Sequence, residues 1–227
     1  MNAIFYGIGV GPGDPELLTL KAARIIEECD VLAVPGRTKE DSVAYGIALT
    51  AVPGIAQKET ICIHMPMTKD EKKLKESHEK GAEQIIRLLE QGRSVAFLTL
   101  GDPTIYSTYL YLQRPVREAG FETEIVNGVA SFLAAGAALN TGLVEKDEQL
   151  HIIPSSYEIG EALKLPGTKV LMKAGKKMPL VKGAVARMDA DVYMVENCGM
   201  AGERICRSAD EIPENGGYYS LIIVKDH

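Results

Sequence analysis

Two turns of the sequence combine the residue types that small-molecule sites place at the ends of strands. The first turn, residues 101–103 (GDP), follows an almost continuous apolar run over 95–100, which predicts a strand buried on both faces of a parallel sheet. Its glycine lets the backbone approach a ligand, and its proline ends the strand. Ligands of open α/β sheets bind at the carboxyl ends of strands, so this turn is a candidate binding site. The alternative is an ordinary strand-to-helix turn in which Asp102 caps the next helix.

The second turn, residues 11–15 (GPGDP), follows a buried strand predicted over 3–10. Asp14 and Pro15 are typical of a helix start, with a capping carboxylate followed by proline. The glycine spacing excludes a dinucleotide fingerprint, because proline or aspartate stands where its last glycine is required, and the sequence also lacks a P-loop motif. The carboxylate of Asp14 lies where a pyrophosphate would bind, so the turn favours a ligand that is neutral or cationic there.

Strand and helix patterns alternate along the first part of the chain, which predicts an open, mainly parallel α/β sheet. A polar stretch over 142–149 predicts a boundary between an N-terminal α/β domain (1–143), which carries both turns, and a C-terminal α/β domain (144–227). The strands predicted for the first domain cover 3–10, 30–35, 60–64, 95–100 and 122–126. Those predicted for the second domain cover 149–153, 168–173, 191–196 and 218–224.

The composition bounds the class of protein. With 227 residues, 46% of them hydrophobic, the chain can bury a sizeable core, which predicts a soluble globular protein. The net charge of −6 offers no basic footprint for nucleic acid, and no apolar run approaches the ~20 residues of a membrane span. The amino terminus has no signal-peptide pattern. The four cysteines have no metal-ligand spacing, so we expect reduced thiols, no metal site and a cytoplasmic location.

Three segments of the chain resemble the tetrapyrrole methylases, which methylate corrin and sirohaem precursors with S-adenosylmethionine. They are residues 7–26 (GIGVGPGDPELLTLKAARII), 100–107 (LGDPTIYS) and 127–132 (NGVASF). Each motif alone is weak, but the three occur in the family's order and spacing. The resemblance spans nearly the whole chain, including the division into two domains.

The resemblance implies a homodimer in which each protomer has two α/β domains and binds the cofactor in the trough between them. It also implies S-adenosylmethionine as co-substrate, S-adenosylhomocysteine as product, and contacts from the backbone and small side chains at strand ends. Many relatives carry Thr or Ser where this chain has Ala130, so that position offers no hydroxyl. Carried over position by position, the cofactor-binding residues are Pro12, Gly101, Asp102, Ile105, Tyr106, Ala130, Ser131, Met172, Asn197 and Cys198.

Two further segments narrow the expected activity within the family. Residues 195–205 (VENCGMAGERI) and the loop 35–45 are similar to enzymes that methylate carbon 20 of precorrin-2 or of cobalt-factor II. We expect methylation of the cobalt-containing substrate; the alternatives are the metal-free precorrin-2 and another tetrapyrrole methylase activity. Diphthine synthases and RNA ribose methylases are more distant candidates, and the acidic charge argues against RNA. A tetrapyrrole-binding carrier without catalysis is the alternative from a different class.

No residue type or spacing identifies a catalytic base for removing the proton from the methylated carbon. Glu196 and Asp102 are candidates by location only, and for Asp102 we expect a role in ordering the cofactor loop. The substrate carries many carboxylates, which basic side chains would bind. Candidates are Arg37, Lys39, Lys173, Lys176 and Lys177, the last two also fitting a solvated surface loop. His64 and His78 fit structural roles better than metal ligation.

Overall fold

The computed structural model describes residues 3–66, 68, 70–156 and 158–227, with the side chain of Lys176 outside the described part. The chain forms two compact units that divide after Ala130. Helix α5 (Ser131–Leu139) contacts a strand of the second unit and is part of that unit. The structural division therefore falls earlier in the chain than the boundary predicted at 143/144.

The first unit is built on a parallel sheet of the predicted five strands. They are β1 (Ile4–Gly9), β2 (Val31–Pro35), β3 (Thr60–Ile63), β4 (Val95–Thr99) and β5 (Glu122–Val126). Their order is β3-β2-β4-β1-β5, so the strands that precede the two glycine turns, β1 and β4, are neighbours. Gly9 pairs with Thr99, and both strands therefore end at the same edge of the sheet.

Helices cover both faces of this sheet, which explains why its central strands are apolar almost throughout. Helices α1 (Leu20–Glu28) and α2 (Val43–Ala51) pack on one face around Ile8, Leu32 and Leu98. Helices α3 (Glu71–Glu90) and α4 (Tyr109–Glu118) pack on the other face. The core between these two helices and the sheet includes Phe5 and Phe97.

The start predicted for the first helix is wrong. Asp14 caps only a short 3-10 turn, accepting a hydrogen bond from the amide of Glu16 at 2.9 Å. The α-helix begins at Leu20, where the hydroxyl of Thr19 accepts from the amide of Ala22 at 3.2 Å. Two N-cap signals therefore follow one another, and the second starts the longer helix.

The second unit is built on a mixed sheet. Its strands are β6 (Leu150–Pro154), β7 (Thr168–Met172), β8 (Ala190–Glu196), β9 (Arg204–Cys206) and β10 (Ser220–Asp226), in the order β6-β7-β10-β8-β9. Strands β6 and β7 are parallel, and the other pairs are antiparallel. Helix α6 (Met178–Val185) covers one face and packs on Leu171, Met194 and Ile222. Strand β9 was not predicted from the sequence, because it has only three residues.

The start of β7 pairs with the end of β10. There the ammonium of Lys169 is almost fully buried and bonds to the carboxylate of Asp226. That carboxylate also accepts from the amide of Gly167 at 3.0 Å.

Across the described ranges, no helix has both the length and the apolarity that a membrane span requires.

Candidate active site

Three turns meet at the carboxyl edge of the first sheet, and we call residues 9–13, 101–107 and 127–130 the three-turn cluster. The turns after β1 and β4 form a two-way backbone bridge. The amide of Gly101 donates to the carbonyl of Gly11 at 2.8 Å, and the amide of Gly11 donates back at 3.3 Å. Both glycines have positive φ, at 79° and 73°, a conformation that other residues rarely adopt.

The third turn lies against the other two so closely that only glycine fits. A Cβ atom placed on Gly128 would lie 2.3 Å from the carbonyl oxygen of Gly101. A Cβ atom on Gly9 would lie 2.5 Å from the amide nitrogen of Gly128. Any side chain at either position would push the turns apart, so the cluster depends on backbone-to-backbone contact.

The carboxylate of Asp102 joins two of these turns. It accepts hydrogen bonds from the amide and hydroxyl of Thr104 within its own turn. It also accepts from the side-chain amide of Asn127 at 3.1 Å and from the backbone amide of Gly128 at 3.0 Å. These contacts tie the turn after β4 to the turn after β5.

The environment of Asp102 keeps it ionised. Its burial by itself favours the neutral acid, but the hydrogen bonds from Thr104, Asn127 and Gly128 outweigh burial and hold the pKa below its usual value. A carboxylate with a lowered pKa and its oxygens already engaged is a poor proton acceptor. The geometry therefore favours the loop-ordering role of Asp102 over its candidate role as a base.

Sequence reasoning missed Asn127 and Thr19 as members of this network. The hydroxyl of Thr19 donates to the carbonyl of Asn127 at 3.3 Å and thus joins the start of α1 to the third turn. The asparagine-glycine pair signalled a turn, but nothing in the sequence indicated that its side chain would reach Asp102.

The part of the turn after Asp102 presents side chains outward. Tyr106 is 44% exposed and has a positive φ of 50°, which is uncommon for an aromatic residue. Behind it, the hydroxyls of Ser107 and Thr99 lie 3.2 Å apart and are buried. The amide of Tyr109 donates to Ser107 at 3.1 Å and fixes the start of α4. The loop is thus held from inside, with Tyr106 outside.

The candidate residues of the second unit lie at one edge of its sheet. Met172 pairs with Leu221 near the start of β10, and Glu196 pairs with Ser220 on the other side of that strand. Asn197 follows Glu196 with a positive φ of 53°. The ends of β7 and β8 therefore flank the start of β10.

The carboxylate of Glu196 is bound within this edge. It accepts from the hydroxyl of Ser220 at 3.0 Å and from the amide of Gly217. Only 9% of the residue is exposed, and a Cβ atom on Gly217 would lie 2.5 Å from the carboxylate oxygen. The geometry gives Glu196 a structural role, which weakens the case for it as a base.

A family model described as tetrapyrrole (corrin/porphyrin) methylases matches residues 5–212. The chain belongs to the tetrapyrrole methylase family. It is 37% identical over 97% of its length to "Probable cobalt-precorrin-2 C(20)-methyltransferase" of Methanocaldococcus jannaschii, of which it covers 95%. It is 31% identical over 96% of its length to "Precorrin-2 C(20)-methyltransferase" of a Sinorhizobium species, of which it covers 93%.

The tetrapyrrole methylase fold is also found among solved structures. One solved structure with a similar fold is a uroporphyrin-III C-methyl transferase from Thermus thermophilus complexed with S-adenosylhomocysteine. This chain is 20% identical to it, and the two structures superpose with a TM-score of 0.73. The match covers 98% of this chain and 97% of that one. The predicted fold class is therefore confirmed.

The structure groups the ten residues carried over from the family into two sets. Pro12, Gly101, Asp102, Ile105, Tyr106 and Ala130 belong to the three-turn cluster. Met172, Asn197 and Cys198 lie at the edge of the second sheet, and Ser131 begins α5 in the second unit. Near Met172, the hydroxyl of Ser155 is fully buried and has no partner among the described residues. Such a group costs about 1–3 kcal/mol, and an unmet donor suits an edge that binds a polar ligand.

The basic candidates have different surroundings. Arg37 is exposed, and the ammonium of Lys39 lies 5.4 Å from the ring centre of Tyr45. Lys173 has a positive φ of 60°, and burial lowers its pKa. Lys177 ends a short 3-10 turn, and the side chain of Lys176 lies outside the described residues.

The histidines and cysteines have structural surroundings. The carbonyl of His64 accepts from Ser77, while the ring of His78 stacks on Tyr111 with centres 4.7 Å apart. Cys29, Cys62 and Cys206 are thiols outside any disulfide, and burial raises the pKa of Cys29 to about 11. Within the described part of the chain, no cluster of three His, Cys, Asp or Glu side chains could hold a metal ion.

Proposed function

We propose that this tetrapyrrole methylase transfers a methyl group from S-adenosylmethionine to carbon 20 of cobalt-factor II (cobalt-precorrin-2) in cobalamin biosynthesis. The observation that carries the proposal is the 37% identity, over nearly the full length of both chains, to the M. jannaschii protein of that name. The cobalt belongs to the substrate and is not a resident metal of the protein.

The cofactor contacts in this proposal are those carried over from the family, and each unit is considered by itself. In the first unit, backbone groups of Gly101 and Pro12 and the side chains of Ile105 and Tyr106 would hold S-adenosylmethionine, with Ala130 beside them. In the second unit the contacts are Ser131, Met172, Asn197 and Cys198. The position of these turns supports the assignment, because they follow strands at the carboxyl edge of the first sheet, where ligands of open α/β sheets bind. Asp102 would act by ordering the loop.

The chemistry asks the protein mainly for positioning. When bound, S-adenosylmethionine supplies a methyl group on a cationic sulfur that needs no acid or metal to depart. The rigid three-turn cluster would hold this group in line with the substrate carbon, and such alignment accounts for a large part of many enzymatic rate gains. Asp102 and Glu196 support loops, so the proposal uses neither of them as the proton acceptor. The leaving group would be S-adenosylhomocysteine, and the proton of the methylated carbon would pass to water.

The proposal includes the partners implied by the family. The substrate's carboxylates would meet Arg37, Lys39 and Lys173, with Lys176 and Lys177 as further candidates. We also propose a homodimer in the cytoplasm that binds neither nucleic acid nor membrane, consistent with the net charge of −6.

A second candidate substrate is metal-free precorrin-2, favoured by the 31% identity to the Sinorhizobium protein. The two are distinguished by anaerobic incubation of the protein with S-adenosylmethionine and each substrate in parallel. We expect a mass gain of one methyl group, with a higher kcat/KM for cobalt-factor II. A higher value for precorrin-2 would reverse the substrate assignment. If the protein bound tetrapyrrole but had no affinity for S-adenosylmethionine, it would be a tetrapyrrole carrier and not an enzyme.

A further inference from the structure

Two adjacent, exposed tyrosines lie in the turn immediately before β10. Tyr218 is 58% exposed and Tyr219 is 36% exposed, and their rings meet edge to face with centres 5.0 Å apart. Burial, and secondarily the neighbouring Tyr218, raises the pKa of Tyr219, so the Tyr219 phenol stays neutral at physiological pH. The two rings add apolar surface to this turn.

The turn that carries these tyrosines is held from three sides. Glu196 accepts from the amide of Gly217 and from the hydroxyl of Ser220, which lie on either side of the pair. The amide of Asn197 donates to the carbonyl of Tyr219 at 3.2 Å. A Cβ atom on Gly216 would lie 2.2 Å from the side chain of Met178, so the turn also packs tightly on α6. Exposed aromatic rings on a turn fixed this firmly are prepared for a ligand, since little ordering remains to be done on binding.

The pair lies at the sheet edge that carries the proposed cofactor residues of the second unit. Leu221, two residues beyond Tyr219, pairs with Met172, and Asn197 bonds directly to the backbone of Tyr219. Neighbouring strands lie about 4.8 Å apart, so Met172 and Asn197 flank the tyrosine turn at distances a macrocycle easily spans.

We propose that Tyr218 and Tyr219 form a stacking surface for the conjugated face of the tetrapyrrole, with Glu196 as the positioning residue of their turn. The inference rests on the proposed function for its ligand class and adds the residues that recognise the ring. A flat π-system gains from offset or edge-to-face contact with tyrosine rings, whichever carbon is methylated.

The test measures binding separately from catalysis. Cobalt-factor II is titrated anaerobically into the protein and followed by absorbance, while S-adenosylhomocysteine is titrated by calorimetry. We expect Tyr218→Ala and Tyr219→Ala each to weaken tetrapyrrole binding about tenfold while leaving the Kd for S-adenosylhomocysteine within twofold. Tyr218→Phe keeps the ring and retains wild-type affinity. Tyr111→Ala is the matched control, because Tyr111 is 61% exposed but lies on α4 of the first unit.

Unchanged tetrapyrrole affinity in both alanine variants, or an equal loss in Tyr111→Ala, would overturn the stacking surface while the proposed function stands. Wild-type protein that binds no tetrapyrrole would overturn the proposed function and the inference together.

The positioning role of Glu196 has its own readout. Glu196→Gln keeps an oxygen for both hydrogen bonds and should retain tetrapyrrole affinity and the near-ultraviolet circular dichroism of the tyrosines. Glu196→Ala should weaken tetrapyrrole binding and change that dichroism at a temperature where far-ultraviolet dichroism still shows the folded state. An alanine variant with both properties unchanged would remove Glu196 from the proposal.

Discussion

The carboxylate of Asp102 and the backbone amide of Gly128, 26 positions apart in the chain, lie 3.0 Å apart at the edge of the first sheet. This hydrogen bond joins the turns that follow β4 and β5, and the close contact between Gly128 and Gly101 completes the junction. The loop after β4 is therefore held by a buried anion and by backbone packing, and both can be tested by substitution.

Replacing Asp102 should impair cofactor binding. In Asp102→Ala the amides of Thr104 and Gly128 and the side chain of Asn127 lose their common acceptor, so the loop loosens. We expect the affinity for S-adenosylmethionine to fall at least tenfold, the equivalent of about 1.4 kcal/mol. Isothermal calorimetry on the folded variant measures it, and unchanged affinity would disprove the ordering role. Asp70→Ala is the control, because that carboxylate caps helix α3 and belongs to none of the three turns.

The same carboxylate predicts a pH dependence of stability. The pKa of Asp102 is lowered in the folded protein, so its contribution is fully present above the unfolded value near 3.9 and is lost as pH falls through the lower folded value. The stability difference between the wild type and Asp102→Asn should be constant from pH 5 to 7 and shrink below about pH 4. Urea unfolding at a series of pH values measures it. A difference that grows on acidification would contradict the prediction.

Gly128→Ala should destabilise the first unit, because the new Cβ atom would lie 2.3 Å from the carbonyl oxygen of Gly101. Overpacking of this kind costs about 1–3 kcal/mol of unfolding free energy, measurable by urea denaturation. Gly46→Ala is the matched control. Gly46 lies within α2 with open space around it, so alanine there should stabilise by up to about 1 kcal/mol. A Gly128→Ala protein as stable as the wild type would contradict the packing argument.

Asp226→Ala should destabilise the second unit, because it leaves the ammonium of Lys169 buried without its partner. Removing one member of a buried pair costs about 3–5 kcal/mol, and the exposed part of Asp226 places this case at the lower end. The double variant Lys169→Met/Asp226→Ala removes the stranded charge and should recover most of the loss in urea denaturation. A double variant no more stable than Asp226→Ala would show that the pair is not the cause.

Much of the fold follows from local patterns in the sequence. Apolar runs such as 95–100 gave the strands of the first sheet because both of its faces are covered by helices. The short strand β9 could not be predicted, since three residues carry too little periodicity. The start of the first helix was misplaced because Asp14 and Thr19 are both good N-caps and local sequence does not rank them.

The candidate site was predictable only where motif and turn coincide. The turn at 101–103 showed glycine, aspartate and proline after a buried strand, and the structure places it at the sheet edge as expected. The hydrogen-bond partners of Asp102 and Glu196 could not be predicted from the sequence, because Asn127 and Gly217 approach these carboxylates only in the folded chain. Both carboxylates lay at the correct strand ends, but only their hydrogen bonds distinguish a loop-ordering group from a proton acceptor.

Locating the transferred methyl group tests the proposed reaction directly. S-adenosylmethionine labelled with carbon-13 in its methyl group is incubated anaerobically with the protein and cobalt-factor II, and the product is analysed by NMR. We expect one labelled methyl group, bonded to carbon 20. A label on another carbon, or none while the cofactor still binds, would contradict the proposed reaction and leave only the family assignment.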